Sequence, residues 1–218
     1  MEMRYPGDSE RVTIIGKTGS GKTQAAGWLL SHRSYDTRPW IIFDFKYDQL
    51  LNDIRGTKEI DVNAKIPTEP GLYIVHPRPG QEEEVEAMFW RIWEREGVGV
   101  YIDEGYMIPS RSSAFQAILT QGRSKEIPVM MLTQRPVYVS RFCLSEAEYI
   151  MLFSLTDERD LKTVKQFMPM PIHKPLPEYH AYWWDNVQNL KAVLKPVPDR
   201  NTILQTFRDR LGTRRRFL

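Results

Sequence analysis

The stretch Gly16-Lys17-Thr18-Gly19-Ser20-Gly21-Lys22-Thr23 leaves this chain few choices of fold. Three glycines within six positions let the backbone enter conformations closed to other residues. The run Arg11-Val12-Thr13-Ile14-Ile15 before it reads as a strand, and the residues from about Lys22 to His32 read as a helix. A glycine-rich turn between strand and helix aims successive backbone N–H groups, and the positive end of the helix, at one point in space. A phosphate fits there. The spacing G-x-x-x-x-G-K-[ST] then supplies a lysine for the outer phosphates and a hydroxyl for Mg2+, and Lys22 and Thr23 stand at those two places. Gly16, Lys17, Thr18, Gly19, Ser20 and Gly21 are the expected backbone cradle, with ATP and Mg2+ as the expected cofactors.

The rest of the chain alternates strand-like and helix-like stretches, which predicts an α/β fold with a mostly parallel sheet flanked by helices. Trp40 to Phe43, Leu72 to Val75, Val98 to Ile102, Val129 to Leu132 and Tyr149 to Phe153 are short apolar runs of the kind that strands buried on both faces carry. From Glu82 to Glu96, Val85, Met88, Phe89, Ile92 and Trp93 recur at helical spacing, and Glu82, Glu83 and Glu84 suit the positive start of that helix. Further helices are expected around Ser112 to Ser124 and from about Glu158 to Phe167. Residues 1–168 are expected to be the core, and 169–218 a C-terminal extension packed on or beside it. Four prolines between Met168 and Pro177 predict an extended connector leaving the core. Tyr179 to Trp184 and Gln188 to Lys195, joined at Asp185-Asn186, read as a hairpin, and Asn201 to Leu211 as a last helix.

At 218 residues, 41% of them hydrophobic, the chain is long enough for one such domain. No apolar run approaches the roughly 18 residues of a membrane span. Met1 to Arg11 does not read as a signal peptide, and a single cysteine, Cys143, suits a reducing cytoplasm and most simply serves packing. The formal net charge of +2 is uneven: residues 200–218 hold six arginines and one aspartate, so the rest sums to minus three. That basic end is either a contact for a phosphate backbone or a solubilising tail.

Hydrolysis needs a carboxylate at the tip of a neighbouring strand. Val98 to Ile102 runs into Asp103-Glu104, and adjacent residues at a strand end face different ways. Asp103 is the expected carboxylate for the metal shell, and Glu104 the base that orients and deprotonates water. Thr133-Gln134-Arg135-Pro136 follows another strand, and its position places Gln134 in the ligand crevice, where it can bond the γ-phosphate or the water.

These segments, in this order, resemble the FtsK/HerA superfamily of DNA-pumping ATPases: Gly16 to Thr23, Phe43-Asp44-Phe45-Lys46, Tyr101-Ile102-Asp103-Glu104, Gln121-Gly122-Arg123-Ser124, Thr133-Gln134-Arg135-Pro136, and Ser154 to Asp160. The resemblance covers about Arg11 to Phe167. It implies a RecA-like P-loop NTPase sheet with an additional strand and a catalytic glutamate. It also implies a homo-oligomeric ring with ATP at each subunit boundary, and an arginine offered across that boundary. Arg123 matches that position, with Arg135, Arg141 and Arg159 as rivals. The chain has neither the barrel domain of HerA nor the anchor and winged helix of FtsK, and so looks like the small genome-packaging ATPases of viruses. Double-stranded DNA gripped without sequence readout is then the implied partner, along with capsid portal or vertex proteins, in the host cytoplasm or on the virion. Arg111, Tyr138 to Arg141 and Lys46 are candidate DNA contacts. Trp183-Trp184 is expected to pack, with base stacking as the rival role. A repair or conjugation motor of the HerA type, and a nucleotide-gated scaffold without translocation, are the alternatives.

Overall fold

The computed structural model describes residues 5–212. It is built on one nine-stranded sheet. In chain order the strands are β1 (Val12–Ile15), β2 (Pro39–Phe43), β3 (Lys58–Glu59), β4 (Gly71–Val75), β5 (Gly99–Ile102), β6 (Val129–Thr133), β7 (Tyr149–Leu152), β8 (Ala181–Asp185) and β9 (Leu190–Leu194). Their spatial order is β3-β4-β2-β5-β6-β1-β7-β8-β9. The first seven strands pair in parallel, and β8 and β9 add an antiparallel edge. Thus β6 lies between β1 and β5, the additional-strand arrangement.

Among the described residues the α-helices are α1 (Lys22–Ser31), α2 (Gln49–Asn52), α3 (Glu82–Arg95), α4 (Ser113–Gln121), α5 (Phe142–Ser145), α6 (Glu158–Lys165) and α7 (Arg200–Gly212). Alternate side chains of each central strand point to opposite faces, and both faces are apolar. On one face Ile14, Ile42, Met130 and Met151 pack with Leu30 of α1 and Phe207 of α7. On the other, Ile41, Val100, Ile102 and Met131 pack with Phe89 of α3 and Phe115 of α4. Each fully buried side chain of this size contributes roughly 1.5–3 kcal/mol. Register also matters. Trp40 pairs with Gly99, and a Cβ on Gly99 would lie 2.1 Å from the indole, so only glycine admits that ring. Ser112 caps α4 by accepting from Phe115 N at 3.1 Å, and α3 ends where Glu96 and Gly97 turn to positive φ.

Three elements escape a reading by periodicity: α2, the two-residue strand β3, and α5. Each is four residues or fewer, too short to show a repeat. The connector is a correction to the expectation. It does not leave the core: Met168 and Ile172 are buried against Ile150, Leu152 and Trp184, because apolar residues alternate with its prolines. The hairpin forms with a longer turn than Asp185-Asn186. The Asp185 carboxylate accepts from Val187 N and Gln188 N, both at 2.9 Å, and Asn189 takes positive φ. Trp183 and Trp184 are both buried, on opposite faces, as β8 alternates. Among the described residues, no helix is long and apolar enough to cross a membrane.

Candidate active site

The carboxyl tips of β1, β6 and β5 stand side by side, and the site is built on them. From β1 the chain enters the glycine turn, which is tied down by two strand ends. Gly16 N donates to Thr133 O at 3.2 Å, and Lys17 N donates to Ser154 O at 3.0 Å. Gly19 and Gly21 take φ of +76° and +95°, conformations that favour glycine. Gly19 is exposed, and no atom lies within 4 Å of where a Cβ on it would stand. Inside the loop the Ser20 hydroxyl is buried without a hydrogen-bond partner, and the Lys22 ammonium reaches only Lys17 O, at 3.3 Å. Unfilled donors in a glycine-rich backbone turn suit a phosphate.

Opposite them, Asp103 and Glu104 close β5, both almost fully buried. Asp103 N donates to Phe43 O at 3.0 Å, which ties this tip to that of β2. Burial first, then the charges of Asp48, Glu104 and Asp44, push the Asp103 carboxyl up to about 7, against the opposing pull of Lys46. Burial likewise lowers the pKa of Lys22, while Glu104 and Asp103 pull it upward. The lysine of the turn and the strand-tip carboxylates therefore share one electrostatic environment.

The Glu104 carboxylate has two different oxygens. One forms an ion pair with Lys46, and the other is buried with no hydrogen-bond partner. The Asp44-Phe45-Lys46 turn delivers that lysine. Asp44, fully buried, accepts from Lys46 N at 3.2 Å, from Asp48 N at 3.0 Å and from Asn52 Nδ2 at 2.9 Å. Tyr47, at positive φ, stacks flat on His76 with centroids 4.1 Å apart. Sequence reasoning offered Lys46 as a surface contact and missed this pairing, although the spacing Asp-x-Lys at a strand end was visible.

Gln134 also reaches the turn: its Oε1 accepts from the Thr18 hydroxyl at 2.6 Å. Arg135 turns the other way. It meets Asp157 at 3.4 Å and Asp160 at 3.1 Å, and Asp157 also caps α6. The Ser154 to Asp160 stretch thereby fixes the loop after β6 from within the same subunit. Arg141 stacks over Phe167, 4.9 Å from its centroid.

Arg123 does not join this group. It is exposed in the connection from α4 to β6, at the amino ends of the strands. A strand of five residues spans about 16 Å, so Arg123 stands at the opposite edge of the sheet from the glycine turn. Arg111 is exposed in a turn beyond the carboxyl tip of β5, and Tyr138 is exposed at the end of the short 3-10 helix Pro136–Tyr138 beyond that of β6. Among the described arginines of the basic end, Arg200 pairs with Asp53 and Arg210 pairs with Asp36 at 3.1 Å. Arg214, Arg215 and Arg216 lie outside the described residues. Glu82, Glu83 and Glu84 form the first turn of α3, as its helical spacing predicts, and Cys143 is buried.

A parallel sheet with its glycine turn at β1, a carboxylate pair at β5 and one strand between them defines a P-loop ATPase. No protein-family model matches the chain. It is 42% identical over 218 residues to the DNA packaging ATPase P9 of Enterobacteria phage PRD1, covering 95% of this chain and 96% of that protein. The chain belongs to that family of viral packaging ATPases. Its fold is similar to that of the genome packaging NTPase B204 from Sulfolobus turreted icosahedral virus 2, solved with AMPPCP, with a TM-score of 0.70. The match covers 88% of this chain and 100% of that one at 17% identity. The fold is also similar to that of EssC ATPases 2 and 3 from Geobacillus thermodenitrificans, with a TM-score of 0.63 at 12% identity, over 97% of this chain and 45% of that one.

Proposed function

We propose that the chain is the ATP-driven motor that moves double-stranded DNA into a viral capsid, working as a ring with its nucleotide at each subunit boundary. Membership of the packaging family supports the task. The observation that carries the chemistry is the placing of Asp103 and Glu104, across β6, from the turn that holds Lys22.

In this reading the amides of Gly16 to Thr23 cradle the phosphates and Lys22 binds their outer oxygens. Glu104 accepts a proton from water as the water oxygen bonds to the γ-phosphorus, and the bond to the β,γ-bridging oxygen breaks to release ADP. The oxygen of Glu104 that lacks a partner is the one free to take that proton, while Lys46 holds the other. Gln134, bonded to Thr18, spans the turn and the tip of β6, so it responds to whether the γ-phosphate is present. Mg2+ fits the donor set, because Asp103 sits among carboxylates whose charge is not balanced by Lys46. Thr23 and Asp103 would hold it, and it would supply charge neutralisation on the phosphates.

Arg123 stands too far from its own glycine turn to serve it, and its exposure leaves it available to a neighbour's nucleotide. We assign it that role in trans, in preference to Arg135, whose guanidinium is already paired within the subunit. We read the residues after 168 as an extension, whose described part, 169–212, joins the core sheet through the pairing of β8 with β7.

The test is steady-state ATP turnover with and without duplex DNA. Wild type should be stimulated by duplex. Glu104→Gln should bind ATP normally and lose at least about a hundredfold in kcat, and Arg123→Ala should lose turnover only in the assembled state. Turnover that is indifferent to duplex DNA would favour a nucleotide-gated scaffold. A Glu104→Gln variant with near-normal kcat would remove the assigned base.

A further inference from the structure

A cavity of about 270 Å3 opens beside Gly21, between α1 and the C-terminal extension. Gln24, Phe153, Tyr179, Lys195, Pro196 and Val197 line it. In the sheet, β7 and β8 lie on one side of β1, while β6 and β5 lie on the other. A nucleotide whose outermost phosphate faces Asp103 and Glu104 must therefore extend its other end across β1, toward β7 and β8. That path leads from the glycine turn into this cavity. Its volume is near the lower end for small-molecule sites, about 300 Å3, and mixed apolar walls with a few polar groups are typical of them.

Tyr179 is held at the mouth. A Cβ built on Gly21 would come within 3.3 Å of its ring, yet the side chain remains 48% exposed. Its backbone takes φ +58°, a left-handed conformation unfavourable for tyrosine. The segment after β9 forms the opposite wall, and Gln24 Nε2 clamps it to α1 by donating to Pro198 O at 2.8 Å.

We propose that this cavity seats the purine base and ribose of ATP, with the Tyr179 ring stacked on the base and residues 194–197 as the facing wall. The extension then completes the nucleotide site. This inference rests on the phosphate-cradle reading of Gly16 to Thr23, and the two are separable by ligand. Tripolyphosphate probes the cradle alone, whereas ATP probes cradle and cavity together.

Calorimetric titration of wild type, Tyr179→Gly, Tyr179→Phe and Lys22→Ala with each ligand tests it. Tyr179→Gly should weaken ATP binding by roughly tenfold to a hundredfold, the usual worth of one base stacked on an aromatic ring. It should leave tripolyphosphate binding unchanged, and Tyr179→Phe should bind both ligands as wild type does. The Tm of Tyr179→Gly should not fall, because glycine relieves the positive φ. Lys22→Ala should weaken both ligands. Unchanged ATP affinity in Tyr179→Gly, or equal weakening of both ligands, would overturn the base site while leaving the cradle intact. Failure of wild type to bind tripolyphosphate would overturn the cradle, and the base site with it.

Discussion

Replacing Asp103 by asparagine should stabilise the nucleotide-free protein, and should do so more at higher pH. Asp103 is buried among Asp44, Asp48 and Glu104, and its carboxyl is pushed from an ordinary 3.8 up to about 7. Below the ordinary value both folded and unfolded chains hold the proton, and the group costs nothing. Between the two values the unfolded chain ionises while the folded one stays protonated, so stability falls as pH rises. Above about 7 the full cost stands. At 1.36 kcal/mol per pH unit it is about 1.6 kcal/mol near pH 5 and about 4 kcal/mol near pH 8. Asparagine keeps the shape and does not titrate. In urea unfolding with EDTA present, the stability of Asp103→Asn relative to wild type should therefore grow by about 2–3 kcal/mol between pH 5 and pH 8. A difference that does not change with pH would refute the reasoning, because burial and the neighbouring carboxylates would then not be acting on this group. The same variant should lose ATP turnover, so that stability and activity move in opposite directions.

Two further outcomes concern the scaffold. Glu148 takes Arg11 NH2 at 2.6 Å, Arg11 Nε at 3.0 Å and the Arg11 backbone N at 2.7 Å, all buried. Glu148→Gln should cost about 3–5 kcal/mol in urea unfolding with little dependence on salt, and a loss below about 1 kcal/mol would contradict a buried pair at the start of β1. Cys143 is buried, and its thiol is pushed up to about 12 by burial. A disulfide reagent near neutral pH should therefore label it only as fast as the protein opens, and labelling at the rate of a free thiol would show an exposed site.

The parts legible in the sequence are those whose information is local. The glycine turn is a backbone requirement written into consecutive residues, Gly16 to Thr23. Asp103-Glu104 is marked by the apolar run that ends at it, and α3 by a helical repeat carried across fourteen residues. The alternation of such segments was enough to imply a mostly parallel sheet with helices on both faces. Short elements such as α2 and β3 carry no repeat. The connector reads as leaving the core because its prolines are conspicuous, whereas the apolar residues alternating with them are buried only against Ile150 and Leu152 of β7 and Trp184 of β8, which distant parts of the chain supply.

What the tertiary structure decided is which distant segments meet. The strand order sets β6 between β5 and β1, and so brings Gln134 to Thr18, residues that are 116 positions apart. It carries Lys46 from the tip of β2 to Glu104 at the tip of β5, leaves Arg123 at the opposite edge, and lays Tyr179 beside Gly21. Periodicity records the environment of each segment along its own axis. The crossing of one segment over another depends on burying both sheet faces at once, and only the folded chain settles that.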